Sequence, residues 1–302
     1  MQFFKSTNLM EFPNRFKTNA DCYEYLAHMK WGKGFICSKC RGTESVRSKT
    51  KYYRRCKHCL YDESTTSGTI FHKLKFPILK GFHMLFRLSI NKKGCSSIQL
   101  AKEFGVQQKT AWLFRQKVQV AMKSSNKYQL TGKVQVDEFT VGGPEVGAVG
   151  RSDSSKNKII LGIEVRGRKK RKQIGLAYAK CIEDYSRNSF LPFFEQKINK
   201  KAEIFTDGFR TYSSLSDKFK IKQSYSDKGE GFPEIHLIIM NFKSWLRGVH
   251  HKCKYGYLQK YLDEFIFRFN RRYNESGMFH KLVTRMIQSE PFPLKRIYEL
   301  YG

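Results

Sequence analysis

Two Cys-x-x-Cys pairs constrain this chain more than any other feature: Cys37-Ser-Lys-Cys40 and Cys56-Lys-His-Cys59, with fifteen residues between them. Each pair makes a short turn whose thiolates can converge, and four thiolates satisfy one tetrahedral zinc ion at about 2.3 Å. Lys39, Arg41, Arg54, Arg55 and Lys57 flank the pairs and offset the negative charge of a four-thiolate site. Disulfides and a redox pair are the competing uses. The first needs an oxidising compartment and the second a strand-to-helix context. The spacing predicts a zinc ribbon over residues 34–72, with strands at Ser45–Ser48, Tyr52–Arg55 and Glu63–Phe71. Such a ribbon is too small to hold a core alone, so metal supplies its folding energy. His58, between two ligands, reads as a surface residue, and Cys22, Cys95, Cys181 and Cys253 have no partner spacing. Asn19–Trp31 reads as a helix ahead of the ribbon.

Charge narrows the partners. Lys and Arg number 57 against 26 Asp and Glu, a net charge of +31 over 302 residues, while 40% of the chain is hydrophobic. The apolar share excludes disorder, because enough surface can be buried to offset ordering entropy. The surplus points to nucleic acid, whose phosphates release counterions on binding. No run of eighteen apolar residues offers a spanning helix, and no basic amphipathic helix stands apart to serve a membrane surface. The opening segment mixes charges into its first apolar stretch and carries no small-residue cleavage site, so no secretory signal is expected. The expected location is the cytoplasm, with the nucleic acid.

A second DNA-facing element follows the ribbon. Residues 77–92 read as a helix begun by Pro77. Ser96 or Ser97 then caps another, Gly105 supplies a positive-φ turn, and Ala111, Leu113 and Val118 resume helical periodicity. The pattern resembles a helix-turn-helix, with Gln107, Gln108, Lys109, Thr110 and Arg115 set to face a major groove. An ordinary helical hairpin has the same pattern.

From residue 132 the periodicity changes to that of strands: Lys133–Val141, Ile159–Arg166 and Gln173–Lys180, then a helix over Arg187–Lys201 and a short strand, Ala202–Thr206. Three strands, a helix and a strand give an α/β domain with the element order of a ribonuclease-H-like core. Asp137 sits inside the first strand and Asp207 ends the later one. A carboxylate at an otherwise apolar central position is costly unless it meets a metal or a partner. If those strands are neighbours, the two acids converge and suit Mg²⁺ or Mn²⁺, one ion activating an attacking oxygen and another stabilising the leaving one. A third ligand is expected from a following helix, where Asn241 begins a helical stretch; a plain helix cap is the alternative. Lys243 and Arg247 lie two and six positions on, and Arg247 can meet a phosphate.

These pieces together resemble a DDE-type transposase of bacterial insertion sequences, in the zinc-ribbon branch with an ISXO-like catalytic domain. The residues that carry the resemblance are the four paired cysteines, Ser67-Gly-Thr-Ile-Phe-His72, Lys109-Thr-Ala-Trp112, Val136-Asp-Glu-x-x-Val-Gly-Gly143 and Thr206-Asp-Gly-x-x-x-Tyr212. Asn241-x-Lys-x-Trp-Leu-x-Gly-x-His-His251 and Tyr261-Leu-Asp-Glu-Phe-x-Phe-Arg-Phe-Asn-Arg-Arg272 complete it. The resemblance implies that Asp137 and Asp207 are catalytic metal ligands, with Asn241 standing where many relatives carry Glu; Glu234 and Glu230 are fallback carboxylates. It also implies double-stranded DNA as partner, both terminal inverted repeats and target, and a homo-oligomer on that DNA.

The expected division is an N-terminal helix and zinc ribbon over 1–75, a helix-turn-helix module over 76–128, and a ribonuclease-H-like catalytic domain with C-terminal helices over 129–302. Arg166-Gly-Arg-Lys-Lys-Arg-Lys172 carries six cations in seven residues. It is either a solvated hairpin tip or a phosphate clamp through Lys169, Lys170 and Arg171. The stripe Leu258, Tyr261, Leu262, Phe265, Ile266 and Phe269 reads as core, with Arg268, Arg271 and Arg272 on its polar side, where they could grip DNA. Two other functions fit parts of the pattern: a non-catalytic DNA-binding protein using only the ribbon and helix pair, and a nuclease without strand transfer.

Overall fold

A computed structural model describes residues 3–142, 156–167, 173–224, 231–250 and 255–301. In chain order it holds helices α1 (Glu11–Arg15) and α2 (Asn19–Trp31), strands β1 (Ser45–Arg47), β2 (Tyr53–Cys56) and β3 (Asp62–Ser64), and helices α3 (Ile78–Ile90), α4 (Ser97–Phe104) and α5 (Gln108–Met122). There follow β4 (Lys133–Val141), β5 (Asn157–Arg166), β6 (Gln173–Ile182), α6 (Arg187–Lys197), β7 (Glu203–Thr206), α7 (Arg210–Ser213), β8 (Lys220–Gln223), α8 (Pro233–Val249), α9 (Tyr255–Phe269), α10 (Met278–Gln288) and α11 (Leu294–Tyr301). The chain divides into two compact units, Met1–Met122 with Arg271–Gly302, and Lys123–Asn270.

The first unit is built around aromatic residues. Phe12 stacks on Phe86 with ring centroids 4.2 Å apart, and Phe4, Phe16, Phe82 and Phe279 pack edge-on or tilted around them. Phe279 belongs to α10, and a backbone bond from Ile70 to Met286 (3.0 Å) ties the same helix to the chain after the ribbon. This is why residues beyond Asn270 fall with the first unit, whereas the expected division left them with the strand-rich half. Helix α2 spans the expected residues. Thr18 and Asp21 cap it reciprocally, each side chain taking the other's backbone N–H, which satisfies two orphan donors at the helix start.

The ribbon's strands pair antiparallel in the order β1-β2-β3. The third is shorter than the expected Glu63–Phe71. After Ser64 the chain turns on its own hydroxyls, with Ser67 N–H donating to Ser64 Oγ (3.0 Å) and Thr69 Oγ1 to the Thr66 carbonyl (2.8 Å). Such local bonds compete with a sheet ladder. Helix α3 follows Pro77, and α4 is capped by Ser96, which accepts from Gln99 N–H (3.1 Å). Gly105 ends α4 at φ +58°, a left-handed conformation glycine adopts without a Cβ penalty. The chain then enters α5.

The second unit is a mixed sheet in the order β6-β5-β4-β7-β8. β4 runs antiparallel to β5 and β5 to β6, whereas β7 lies parallel to β4 and to β8. One face carries α6: Gly162 on β5 leaves room for Phe193, which a Cβ would approach to 3.2 Å. The other carries α8, where Phe242 meets Phe139 edge-on at 6.0 Å. Helix α9 closes the β6 edge. Gln259 accepts from Cys181 N–H (2.8 Å), and Asn270 accepts from Ala177 N–H (2.8 Å) while donating to its carbonyl (2.9 Å). Eleven residues along an α-helix return to nearly the same face, so these two amides reach one strand and satisfy edge groups that would otherwise be exposed for pairing. Arg268 is correspondingly buried, 9% exposed, bonded to Glu264 at 3.0 Å. It is not on a DNA-gripping polar side. Among the described residues no helix is long and apolar enough to cross a membrane.

Candidate active site and metal centres

The four paired cysteines converge. Cys37 Sγ lies 3.6 Å from Cys59 Sγ and Cys40 Sγ 3.5 Å from Cys56 Sγ, and all four sulfurs fall within 4.8 Å of one another. Ligand sulfurs at about 2.3 Å from one tetrahedral zinc sit about 3.8 Å apart, so the cluster has the dimensions of that ion's coordination shell. Both turns repeat one pattern. Cys37 N–H donates to Gly42 and Arg41 N–H to Cys37, while Cys56 N–H donates to Tyr61 and Leu60 N–H to Cys56. Arg41 and Leu60 occupy the equivalent left-handed positions, at φ 65° and 57°. Gly42 lets the backbone approach the sulfurs: a Cβ there would lie 3.4 Å from the Sγ atoms of both Cys40 and Cys56. Burial opposes ionisation of Cys37, but N–H groups of Cys40 and Lys39, with the thiols of Cys59 and Cys40, outweigh it and hold this thiol below the ordinary range. Cys22 and Cys95 are buried and Cys181 half-buried, apart from this cluster.

The acidic site arises from strand register. In the parallel pair β4–β7, Lys133 faces Glu203, Val134 faces Ile204 and Gln135 faces Phe205. The offset is seventy, and two further positions bring Asp137 opposite Asp207. Adjacent strands lie about 4.8 Å apart, so two carboxylates at matched positions meet without a long reach. Carboxylate oxygens of Asp137, Asp207 and a third residue, Glu138, all lie within 4.8 Å of one another. Oxygens on one octahedral Mg²⁺ at about 2.1 Å stand about 3.0 to 4.2 Å apart, so small side-chain rotations close the trio onto such an ion. Three like charges in partly buried surroundings repel one another unless a cation or proton intervenes. The hard-oxygen donor set fits a divalent cation.

Neighbouring groups hold this arrangement in place. Phe209 N–H donates to Asp207 Oδ1 (3.1 Å), and Gln223 Nε2 donates to the carbonyls of Asp207 (3.1 Å) and Phe209 (2.9 Å). The short strand β8 thereby staples the chain that leaves β7. Tyr212, fully buried, donates its hydroxyl to Glu138 Oε2. Burial first, then the negative charges of Glu138, Asp137 and Asp207, push its pKa well above the ordinary phenol value. On the other side His236 Nδ1 stands 3.8 Å from Asp137 Oδ2. Lys243 Nζ lies 5.4 Å from the Phe139 ring centroid. Burial first, then Arg247, lower its pKa, while Asp137 pulls the other way.

Asn241 is not brought to this site. It is exposed, and at about 100° per residue it lies about 140° around α8 from His236 and about 160° from Lys243, the two residues that approach β4. The buried stripe Ile235, Ile238, Ile239, Phe242 and Leu246 fixes that phase. Glu234 instead accepts from Gln135 Nε2 (2.8 Å). Arg115 is likewise turned inward, 3% exposed, whereas Gln107, Gln108 and Lys109 are exposed and Thr110 half-buried at the start of α5. Gln108 donates to Ser97 Oγ (2.8 Å) across the turn. Arg247 is exposed on the outer part of α8. Lys169, Lys170 and Arg171, and with them Glu230, lie outside the described residues. Sequence reasoning did not single out Glu138, Tyr212 or His236 as site residues, although the first two stand in the motifs quoted above.

Comparison with known proteins agrees with this geometry. Residues 129–270 match the family model described as ISXO2-like transposase domain, and residues 17–62 match the transposase zinc-ribbon domain. The chain is also similar to an uncharacterized protein in transposable element ISH50 of Halobacterium salinarum. The two are 24% identical over 221 residues, 68% of this chain and 73% of that protein.

Proposed function

We propose that this chain, whose residues 129–270 belong to the ISXO2-like transposase domains and 17–62 to the transposase zinc ribbons, is a DDE-type DNA transposase that binds insertion-sequence ends and carries out metal-dependent strand cleavage and strand transfer. One observation carries the reading: carboxylates seventy positions apart meet where β4 and β7 run parallel, Asp137 within β4 and Asp207 just past the end of β7. The sheet order and the sequence of three strands, helix, strand, helix, strand, helix support a ribonuclease-H-like core.

Asp137, Asp207 and Glu138 would hold a divalent cation, Mg²⁺ or Mn²⁺, which supplies the Lewis acidity that favours attack on a phosphodiester and stabilises the leaving oxygen. Lys243 places positive charge near Asp137, with Arg247 one helical turn further along α8, where a phosphate's charge needs a partner. No protein nucleophile is required. Water opens the first phosphodiester and leaves a 3′-hydroxyl; that hydroxyl then attacks target DNA, and the chain contributes positioning and charge neutralisation. The four cysteines would hold structural zinc, and Gln107, Lys109 and Thr110 at the start of α5 would meet DNA as the second helix of a helix-turn-helix does. A homo-oligomer on paired element ends belongs to the same reading.

One observation favours a second reading. Asn241 is exposed, on a different side of α8 from His236 and Lys243, and a site without that amide ligand suits a decayed enzyme that still binds DNA. Incubating the full chain with its element ends and Mg²⁺ or Mn²⁺ separates the readings. Cleavage followed by joining supports a transposase. Cleavage alone supports a nuclease, and binding without cleavage supports the decayed form.

A further inference from the structure

The Asp207–Tyr212 segment does two jobs within six residues. Its first residue supplies one carboxylate of the trio, and its last donates a hydrogen bond to another. Tyr212 has little freedom to do otherwise. It is fully buried, and its ring is enclosed by Phe190, Phe194 and Phe209 at centroid distances of 5.2, 6.3 and 6.3 Å. Glu138 has the opposite problem. Its side chain has several rotatable bonds, it is 9% exposed, and it leaves β4 on the face opposite Asp137. A buried carboxylate needs donors, and a glutamate meeting a cation from the far face of its strand needs its direction fixed.

We propose that Tyr212 is a positioning residue of the acidic site: its hydroxyl engages one oxygen of Glu138 and thereby sets the other toward Asp137 and Asp207. The inference rests on the reading that this trio holds a divalent cation. It makes α7 part of the site. The stapling of Asp207 and Phe209 by Gln223 then fixes two ligands at once, Asp207 directly and Glu138 through the phenol. Groups of this kind, which touch a ligand rather than the ion, orient it, and their loss weakens metal binding by about ten- to one-hundred-fold.

The test is Mn²⁺ titration of the full chain, read by electron paramagnetic resonance of the free ion. Tyr212→Phe keeps the ring and removes only the donor, so it is expected to keep a cooperative metal-free unfolding transition while weakening Mn²⁺ binding about ten- to one-hundred-fold. In a Glu138→Gln background the same change is expected to add less than about threefold, because the interaction it breaks is already altered. Glu138→Asp retains the charge but shortens the reach, so it cannot meet both the phenol and the cation. It is expected to weaken binding as Tyr212→Phe does. Wild-type affinity in Tyr212→Phe or in Glu138→Asp overturns the proposal, as does an equal loss from Tyr212→Phe in both backgrounds. Absence of Mn²⁺ binding by the wild-type chain overturns the metal reading and this inference with it. A binding wild type with a silent Tyr212→Phe overturns this inference alone.

Discussion

Lys30→Met is expected to loosen the zinc ribbon even though Lys30 touches no cysteine. Lys30 Nζ uses all three of its hydrogens: it meets Glu63 Oε1 at 2.7 Å, the Ser67 carbonyl at 2.7 Å and the Ser64 carbonyl at 3.0 Å. Glu63 Oε2 accepts from Ser38 N–H (2.9 Å), which lies inside the first cysteine turn. The side chains are 13% and 2% exposed, and burial pushes the Lys30 pKa down while Glu63 pulls it back. Methionine has a similar volume, so the packing cost is small. The main loss is the counter-charge of a carboxylate that has almost no access to water. Breaking one side of a buried pair costs about 3–5 kcal/mol. Zinc binding and ribbon folding are one equilibrium, so that cost appears as roughly a hundred- to a few-thousandfold loss in apparent zinc affinity. Competition with a chromogenic chelator measures it directly. Glu63→Gln in the Lys30→Met background is expected to recover part of the loss, because it removes the stranded charge. An apparent zinc affinity for Lys30→Met within threefold of wild type would refute the reasoning.

Other expectations follow from single residues. Burial raises the Asp263 carboxyl from 3.8 to about 6, against the Gln259 hydrogen bond and the charges of Lys123 and Lys197. The native state therefore holds its proton more tightly than the unfolded chain. The stabilisation is full below about pH 4 and is lost as pH rises to about 6, a swing of roughly 3 kcal/mol. Asp263→Asn is expected to raise the unfolding midpoint at pH 7.5 and leave it nearly unchanged at pH 4; equal effects at both pH values would count against it. Lys109→Ser is expected to reduce the salt slope of DNA affinity by about one, whereas Arg115→Ala, at a buried position, is expected to lower thermal stability and leave that slope alone. Gly42→Ala brings a Cβ to 3.3 Å from His58 Cβ, inside the second cysteine turn, and to 3.4 Å from the sulfurs of Cys40 and Cys56, and is expected to speed zinc loss to a chelator.

The parts of the fold that were legible in the sequence rest on strong local signals. The cysteine turns, the bounds of β4 and the Gly105 turn each follow from a spacing, an alternation or a conformational need that no distant contact decides. The edge strand β8 escaped notice because Lys-Ile-Lys-Gln offers one apolar side chain, Ile221, and its strand character comes from pairing with β7. The position of α10 depends on Phe279 finding the N-terminal aromatic cluster, which no periodicity announces. The orientation of Asn241 was legible, since the apolar stripe from Ile235 to Leu246 already sets the phase of α8. The contact of Glu138 with Tyr212 was not, because it joins residues seventy-four positions apart across the far face of the sheet.

The central claim is that Asp137 and Asp207 share a divalent cation. Iron-directed backbone cleavage tests it most directly: Fe²⁺ replaces Mg²⁺, ascorbate and peroxide generate radicals at the ion, and the fragments are mapped. Two clusters of cuts are expected from one ion, near residue 137 on β4 and near residue 207 after β7, both suppressed by excess Mg²⁺ and both absent in Asp137→Asn. Cuts at only one of these segments, or Mg²⁺-sensitive cuts that persist in Asp137→Asn, would contradict it.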